Sequence, residues 1–297
     1  MAGRTVVVTG GNSGVGFEAA KALAGRDASV TLAVRSVERG KVAVARIRSS
    51  VPGAAVAVAA LDMASLASVH DFARRWTGPL DLLINNAGVM AVPRWTPSAD
   101  GFELQFATNH LGHFALTGQL LPALLAAEQA RVVTVSSIRH RSGTRAVLQG
   151  NPPADYRPAS AYGQSKLANL LFALELQRRS SAHGTPVTST AAHPGISATG
   201  LFGNRQGMGQ NPLVRIGAPL MTRVLFQSAS AGADPILYAG TEAEPGSYSG
   251  PRHLGETRGG VGSARISDVA QNAGLASELW DRSEELTETS YDWSARQ

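Results

Sequence analysis

The stretch RTVVVTGGNSGVGFEAAKALAG (residues 4–25) combines a short apolar run, a glycine-rich turn and a segment with helical spacing. The apolar run closed by glycine predicts a strand, and the segment after the turn, which has few β-branched residues, predicts a helix. Gly10, Gly14 and Gly16 let the backbone turn sharply and approach a pyrophosphate that rests against the helix N-terminus. The stretch therefore predicts a strand, turn and helix that bind a dinucleotide, with a glycine spacing that differs from GxGxxG.

The alternation of strand and helix patterns continues along the chain. Further apolar runs recur between segments with helical spacing: SVTLAV (29–34), AAVAVAALD (54–62), LDLLINNAG (80–88), RVVTVSS (131–137) and PVTSTAAHPG (186–195). Strands that are apolar throughout and alternate with helices predict a parallel sheet covered by helices on both faces. Because no long polar linker divides the 297 residues, we expect residues 1–297 to form a single domain of the α/β class, with a doubly wound, mostly parallel sheet.

Two stretches interrupt this alternation, namely residues 138–159, which are rich in Arg, Gly and Pro, and residues 197–227. In open α/β sheets, ligands bind beyond the carboxyl ends of the strands, where such loops emerge. We therefore expect both stretches to be substrate-loop insertions, although either could be a plain surface insertion. The second contains NPLVRIGAPLMTRVLFQ (211–227), whose mixed apolar and basic pattern predicts an amphipathic cover over a lipophilic pocket.

Composition narrows the class of protein and its location. The absence of cysteine excludes disulfides, Cys-ligated zinc and a thiol nucleophile. No apolar run reaches the roughly 18 residues of a membrane span, and MAGRTVVVTG lacks the long apolar core of a signal peptide, so we expect a cytoplasmic protein with no membrane span. The net charge is +5, but the arginines are scattered without interleaved aromatic residues, so we expect no nucleic-acid binding.

The positive charge is concentrated in residues 131–226, where Asp155 and Glu175 are the acidic residues. We hypothesise that this region, including Arg139, Arg141 and Arg145, attracts an anionic cofactor or substrate, because fixed charges raise the local concentration of a ligand of opposite sign. A solvated basic loop is the alternative interpretation.

The glycine spacing TGxxxGxG is followed by a set of short patterns in a definite order: LDM (61–63), NNAG (85–88), TNHLGHF (108–114), VSS (135–137) and YGQSK (162–166). This ordered set resembles the short-chain dehydrogenase/reductase family over nearly the whole chain. Within the family, TNHLGHF, HPG (193–195) and LWDRSEELT (279–287) are most similar to retinol-dehydrogenase-type reductases and their bacterial relatives. The resemblance implies a Rossmann-type fold and an enzyme that forms a homodimer or homotetramer through its fourth and fifth helices.

The end of the second predicted strand bears on the choice of cofactor. A site for NAD needs an acidic side chain there for the ribose 2′-hydroxyl, but TLAVRS (31–36) has Val34 where NAD-using members of the family have Asp, followed by Arg35. An arginine can pair with a 2′-phosphate, so we expect NADPH/NADP+ rather than NAD(H), with a merely solvated Arg35 as the alternative. The resemblance implies a cofactor site formed by Gly10, Asn12, Ser13, Gly14, Val15, Gly16, Arg35, Asp62, Met63, Asn86, Ala87, Gly88, Tyr162, Lys166, Pro194, Gly195 and Thr199.

Tyr162 and Lys166 are four residues apart in a helical segment, so their side chains share one face. A tyrosine with a pKa of about 10 is a poor acid–base catalyst at neutral pH, and a neighbouring cation is expected to lower that pKa. The resemblance implies that Tyr162 is the general acid in reduction and the base in oxidation, and that Ser137 donates a hydrogen bond to the reacting oxygen. It also implies that Asn109 holds a water that leads protons to Lys166. Without the other patterns, the Tyr–Lys pair would be interpreted as structural.

These patterns predict an NADPH-dependent oxidoreductase that transfers a hydride between nicotinamide and a ketone or aldehyde, or the reverse on an alcohol, with a lipophilic substrate. The alternatives are a reductase of carbon–carbon double bonds and a non-catalytic NADP(H)-binding sensor. We expect no metal site, because a pair such as His110 and His113, three residues apart in an apolar helix, is typical of packing. His193 is expected to be structural or to lie on the phosphate side of the cofactor.

Overall fold

The computed structural model describes residues 1–195 and 228–294, and within these ranges eight strands form a single sheet. The predicted insertion 197–227 and Thr199 lie outside the described residues. The strands are β1 (Thr5–Thr9), β2 (Ser29–Val34), β3 (Val56–Ala60), β4 (Leu82–Asn85), β5 (Arg131–Val135), β6 (Thr188–Ala192), β7 (Tyr248–His253) and β8 (Arg258–Ser263). Their order is β3-β2-β1-β4-β5-β6-β7-β8, with β8 antiparallel to β7 and the other neighbours parallel. The strand order reverses between β1 and β4, which confirms the predicted doubly wound, mostly parallel sheet.

Helices connect the parallel strands. They are α1 (Gly14–Ala24), α2 (Val37–Ser50), α3 (Leu66–Arg74), α4 (Leu104–Phe106), a π-helical turn (Ala107–Leu111), α5 (Gly112–Gln119), α6 (Leu121–Leu125), α7 (Pro158–Ala182), α8 (Ala229–Thr241) and α9 (Ala273–Thr287). Ser65 accepts a hydrogen bond from the Ser68 amide and so caps α3, while Pro158 opens α7 at a position where its missing N–H costs nothing. Of the described helices, none combines the length and the apolar character that a membrane span requires.

The hydrophobic core lies on both faces of the sheet because side chains alternate along each strand. Val6 and Val8 of β1 pack into a cluster with residues of α1, α2 and α8. Val7, between them, packs on the opposite face with residues of α3, α5 and α7. All three valines are fully buried, which confirms a sheet covered by helices on both sides.

Helix α5 is enclosed within the chain, since every residue from Gly112 to Gly118 is buried. The ring of Phe114 contacts Trp280 of α9 and Tyr291 of the C-terminal segment, with ring centroids 5.0 and 5.1 Å apart. A Cβ on Gly118 would come within 2.7 Å of the Tyr291 ring, so glycine allows this segment to lie directly on the helix. A homodimer or homotetramer stays a prediction, and α5 itself offers little exposed surface to a second copy.

The insertion 138–159 forms a series of 3₁₀ turns over Ile138–Ser142, Arg145–Gln149 and Pro153–Asp155. It is anchored to the start of α4. The amide of Asn151 donates to the buried carboxylate of Glu103 over 2.9 Å, and the amide of Gln105 donates to the Tyr156 hydroxyl over 2.9 Å. The insertion is therefore packed against the domain next to the carboxyl end of β5.

Candidate active site

The predicted site residues meet at one edge of the sheet, because β1 to β6 are parallel and their carboxyl ends lie side by side. The glycine turn follows β1, NNAG follows β4, Ser137 follows β5 and HPG follows β6, while Arg35 follows β2 and Asp62 and Met63 follow β3. Helix α7 brings Tyr162 and Lys166 to this edge, where the Ser136 hydroxyl donates to the Lys166 carbonyl over 2.7 Å. The edge thus contains every predicted site residue that the structure describes.

The glycine turn packs closely against NNAG. Gly10 and Gly14 have φ values of +65° and +58°, in the left-handed region that favours glycine. A Cβ on Gly16 would lie 2.3 Å from the amide nitrogen of Asn86. That amide donates to the carbonyl of Thr9 at the end of β1 over 2.8 Å. Asn86, a predicted cofactor-site residue, therefore also holds the turn in place.

The start of α1 is suited to an anionic group. Within the described residues, Ser13 stands at the N-cap of α1 in an extended conformation and its side chain does not cap the helix. The first N–H groups of such a helix, together with the positive end of its dipole, are a site for a phosphate. Arg35 lies exposed just beyond β2, and the carboxylate of Asp62 beyond β3 accepts from the Ala64 amide over 3.0 Å. These residues fit a dinucleotide laid across the ends of β1, β2 and β3.

Ser137, Tyr162 and Lys166 converge at the end of β5. Ser137 opens the first 3₁₀ turn, where its Oγ accepts from the Arg139 amide over 3.2 Å, and its side chain acts on Tyr162 to lower the pKa of the phenol. The ammonium of Lys166 lies 5.8 Å from the centre of the Tyr162 ring, on the shared face predicted from their spacing. It donates to the carbonyl of Val135 over 3.0 Å, which ties α7 to the last residue of β5.

The protonation of Tyr162 differs from the expectation that a neighbouring lysine lowers its pKa. The surrounding protein desolvates the phenol and raises its pKa to about 12, although the hydrogen bond with Ser137 and the charge of Arg139 oppose the rise. Burial also lowers the pKa of Lys166 to about 8. Desolvation is therefore the largest influence on the pKa of Tyr162, which is a protonated phenol at neutral pH. The ammonium of Lys166 is engaged with a backbone carbonyl instead.

Asn109 lies in the π-helical turn Ala107–Leu111, where an extra residue widens the helix, a feature common at functional sites. Its Oδ1 accepts from the amide of Val89 over 2.8 Å, and its Nδ2 donates to the Val89 carbonyl and to the Ser165 hydroxyl over 3.0 and 2.9 Å. A Cβ on Gly88 would lie 3.1 Å from Oδ1 and 3.6 Å from the Lys166 ammonium. Asn109 therefore joins the segment after NNAG to α7 beside Lys166.

His113 and His110 are buried and hydrogen-bonded within the fold. His113 bridges the Thr9 hydroxyl and the Asn109 carbonyl, each over 2.9 Å, while His110 contacts the Ser283 hydroxyl of α9 over 2.8 Å. Burial lowers the pKa of His110 to about 3 and that of His113 to about 4, so both rings are neutral at physiological pH. Sequence reasoning missed the contact of His113 with β1, since only the tertiary fold shows which side chains the ring meets.

Two of the three arginines in the cationic hypothesis are paired with carboxylates. Arg141 contacts Glu256 and Arg145 contacts Glu278, each over 2.5 Å. Arg139 is exposed and has no carboxylate partner among the described residues, and its charge acts on Tyr162. Ion pairing cancels most of the field of Arg141 and Arg145, so among the three named arginines Arg139 is the one whose charge still supports the hypothesis for this region. Sequence reasoning also missed Glu256, which lies far along the chain from its partner.

Comparison with known proteins agrees with this arrangement. The family profile described as short chain dehydrogenase matches residues 4–208. Retinol dehydrogenase 12 of Mus musculus is 39% identical over 287 residues, covering 96% of this chain and 86% of that protein. Polyprenol dehydrogenase of Mus musculus is 38% identical over 292 residues, covering 96% and 84%. A crystal structure of an uncharacterised protein from Mycobacterium paratuberculosis has a TM-score of 0.81 and 42% identity, covering 98% of this chain and 96% of that one.

The family profile spans most of the chain, and the similarity to the two mouse dehydrogenases extends over nearly all of it. The glycine turn, NNAG and the Ser137, Tyr162 and Lys166 cluster lie within the matched range. The chain therefore belongs to the short-chain dehydrogenase family, whose members are oxidoreductases that use a nicotinamide cofactor to act on alcohol or carbonyl groups.

Proposed function

We propose that the protein is an NADPH-dependent oxidoreductase that transfers a hydride between nicotinamide and a ketone or aldehyde, or the reverse on an alcohol. The observation that carries the proposal is the convergence of Ser137, Tyr162 and Lys166 beside Asn109 at the edge where the glycine turn emerges. Its substrate is a small lipophilic carbonyl compound or alcohol.

The side chains have separate tasks in this reaction. The bound nicotinamide would supply the hydride. Tyr162, kept protonated by burial, donates its proton to the oxygen of the carbonyl as charge develops there. The hydroxyl of Ser137, oriented by the Arg139 amide that donates to its oxygen, can donate its hydrogen to the same substrate oxygen once the substrate is bound. Lys166 uses one of its three N–H donors on Val135, and the others can hydrogen-bond the cofactor's ribose hydroxyls.

The preference for NADPH rests on the end of β2. Val34 is buried as the last residue of the strand, and Arg35 is exposed directly after it. A carboxylate at this point would repel a 2′-phosphate, whereas a guanidinium can pair with it through two charge-assisted hydrogen bonds. A cytoplasmic location stays a prediction, tested by cell fractionation.

Titration of NADPH and NADH by cofactor fluorescence tests this proposal on the wild type, Arg35→Ala and Arg26→Ala. Arg26 is the matched control, because it is also exposed but follows α1 at the opposite edge of the sheet. We expect wild-type NADPH affinity to fall in Arg35→Ala and to persist in Arg26→Ala. Equal effects in the two variants would contradict the assignment of Arg35.

Turnover tests the reaction itself. We expect NADPH oxidation with members of a panel of lipophilic ketones and aldehydes, and its loss in Tyr162→Phe while that variant still binds NADPH. If NADPH binds but no carbonyl is reduced, activated alkenes as substrates would identify a carbon–carbon double-bond reductase. Binding with no turnover of either class would favour the non-catalytic NADP(H)-binding sensor.

A further inference from the structure

Glu256 lies in the tight turn between β7 and β8 and contacts three separate segments of the chain. Its Oε2 accepts from Arg141 over 2.5 Å and faces the Nε2 of His193 over 3.2 Å, while its Oε1 accepts from the Arg265 amide over 3.0 Å. Its φ of +67° is in the left-handed region, which a residue with a Cβ occupies only where its surroundings hold it. One carboxylate thus joins the segments that follow β5, β6 and β8.

The contact with His193 has a defined direction. The Nδ1 of His193 accepts from the Gly195 amide over 3.2 Å, so in the neutral ring the hydrogen is on Nε2 and is donated to Glu256. Burial, the largest cause, lowers the pKa of His193 to about 4 and keeps the ring neutral at physiological pH. A Cβ on Gly250 of β7 would lie 2.0 Å from Nε2, so β7 leaves only enough room for the imidazole. The ring is therefore held in one orientation.

Gly195 rests directly on the turn that carries Glu256. Its φ is +64°, and a Cβ at this position would lie 2.4 Å from the carbonyl oxygen of Thr257. On the other side, Arg141 belongs to the 3₁₀ turn that Ser137 opens. Glu256 therefore lies between the turn that Ser137 opens and the segment 193–195, which contains the predicted cofactor-site residues Pro194 and Gly195.

We propose that Glu256 is a positioning residue, which sets the distance between the Ser137 turn and the segment 193–195 and thereby shapes the part of the cofactor site that these two segments form. The inference rests on the proposed function. Glutamine at position 256 keeps the shape of the side chain, but its amide presents hydrogens to a site where all three neighbours are donors. One of the three contacts then becomes a repulsion between donors, and the two segments separate.

For Glu256→Gln, the loss of charge and the loss of positioning predict opposite changes in dinucleotide affinity. Removal of a negative charge from this edge would by itself strengthen the binding of an anionic dinucleotide. Separation of the Ser137 turn from the segment 193–195 would instead weaken the binding of the dinucleotide. The pair of Arg145 and Glu278 supplies the control, because it has the same 2.5 Å geometry and anchors the same insertion but does not reach segment 193–195.

The experiment compares dissociation constants for NADPH and NADH, measured by cofactor fluorescence, in wild type, Glu256→Gln and Glu278→Gln. We expect Glu256→Gln to raise the constant for the preferred cofactor roughly tenfold, as is typical of lost support behind a binding residue, with kcat at saturating cofactor within about threefold of wild type. Glu278→Gln should stay within about twofold. Melting temperatures of both variants show whether weaker cofactor binding is instead caused by a loss of folded protein.

Gly195→Ala gives a second test, since its methyl group would push the segment away from Thr257, and it should raise the same constant. Equal or stronger binding in Glu256→Gln, or equal weakening in both glutamine variants, would overturn the inference while the proposed function stands. A wild-type protein that binds neither cofactor would instead overturn the proposed function, and this inference with it.

Discussion

Replacement of Lys166 by methionine should stabilise the folded protein while it abolishes activity. The lysine is 4% exposed, and burial lowers its pKa from 10.5 to about 8. Since a tenfold change in proton affinity corresponds to about 1.4 kcal/mol, the buried ammonium costs the folded state about 3 kcal/mol at neutral pH. Methionine has a similar length and no charge, so Lys166→Met should raise the free energy of unfolding by about that amount.

The hydrogen bond lost in this variant leaves no orphaned carbonyl. Val135 accepts from the Lys166 ammonium over 3.0 Å and also from the Asn169 amide over 3.0 Å, and the second bond remains. Turnover should fall by at least about a hundredfold, because the variant has no ammonium to hold the cofactor's ribose beside Tyr162. The lysine would then be a group that this fold retains for function at a cost in stability.

Urea denaturation at several pH values provides the assay. The pKa is lower in the folded state, so between pH 8 and 10.5 the unfolded chain binds a proton that the folded chain has lost. Wild-type stability should therefore rise with pH in this window relative to Lys166→Met, and the difference between the two should close near its upper end.

A matched control is Lys41→Met on the surface of α2, which we expect to change the free energy of unfolding by less than about 0.5 kcal/mol. A Lys166→Met protein that is less stable at pH 7, or a stability difference that does not vary between pH 8 and 10.5, would refute the reasoning.

Three further changes test other contacts. Arg139→Ala should raise the pKa of Tyr162, because the charge of the arginine lowers it. In profiles of alcohol oxidation rate against pH, the increase in rate should therefore begin at a higher pH than in the wild type. Glu103→Ala removes a buried carboxylate that accepts two backbone amides and a side-chain amide, so urea denaturation should show a loss of about 3 kcal/mol. Tyr291→Phe removes the 2.7 Å hydrogen bond to the Phe114 carbonyl and should lower the free energy of unfolding by about 1–2 kcal/mol in the same assay. Unchanged stability would contradict the packing of the C-terminal segment on α5.

Much of the fold could be predicted because its signals are local. The apolar runs correspond to β1 to β6, and the helical segments between them correspond to the helices that cover the sheet. The hairpin β7–β8 was not predicted. Its strands, YSGPRH and RGGVGS, contain proline and glycines in place of an apolar run, and β8 is largely exposed. They are held as strands by pairing with β6 and with each other, which depends on distant parts of the chain.

The location of the predicted site could be inferred from the order of the strands and motifs along the chain. Parallel strands put their carboxyl ends at one edge, so residues that follow successive strands meet there without further information. Spacing alone also put Tyr162 and Lys166 on one face of α7. Ion pairs could not be predicted in this way, because Arg141 and its partner Glu256 are 115 residues apart and only the folded hairpin brings them together.

The sequence by itself determined the class of fold, the edge at which the site forms and the residue types present there, because each of these depends on periodicity and spacing along the backbone. Only the tertiary structure decided the electrostatic state of the site. It shows a Tyr162 whose pKa is raised and a Lys166 whose pKa is lowered. It also shows that Arg141 and Arg145 are paired with carboxylates, whereas Arg139 has no carboxylate partner among the described residues. Desolvation and ion pairing depend on which distant groups surround a side chain, and that arrangement exists only once the chain has folded.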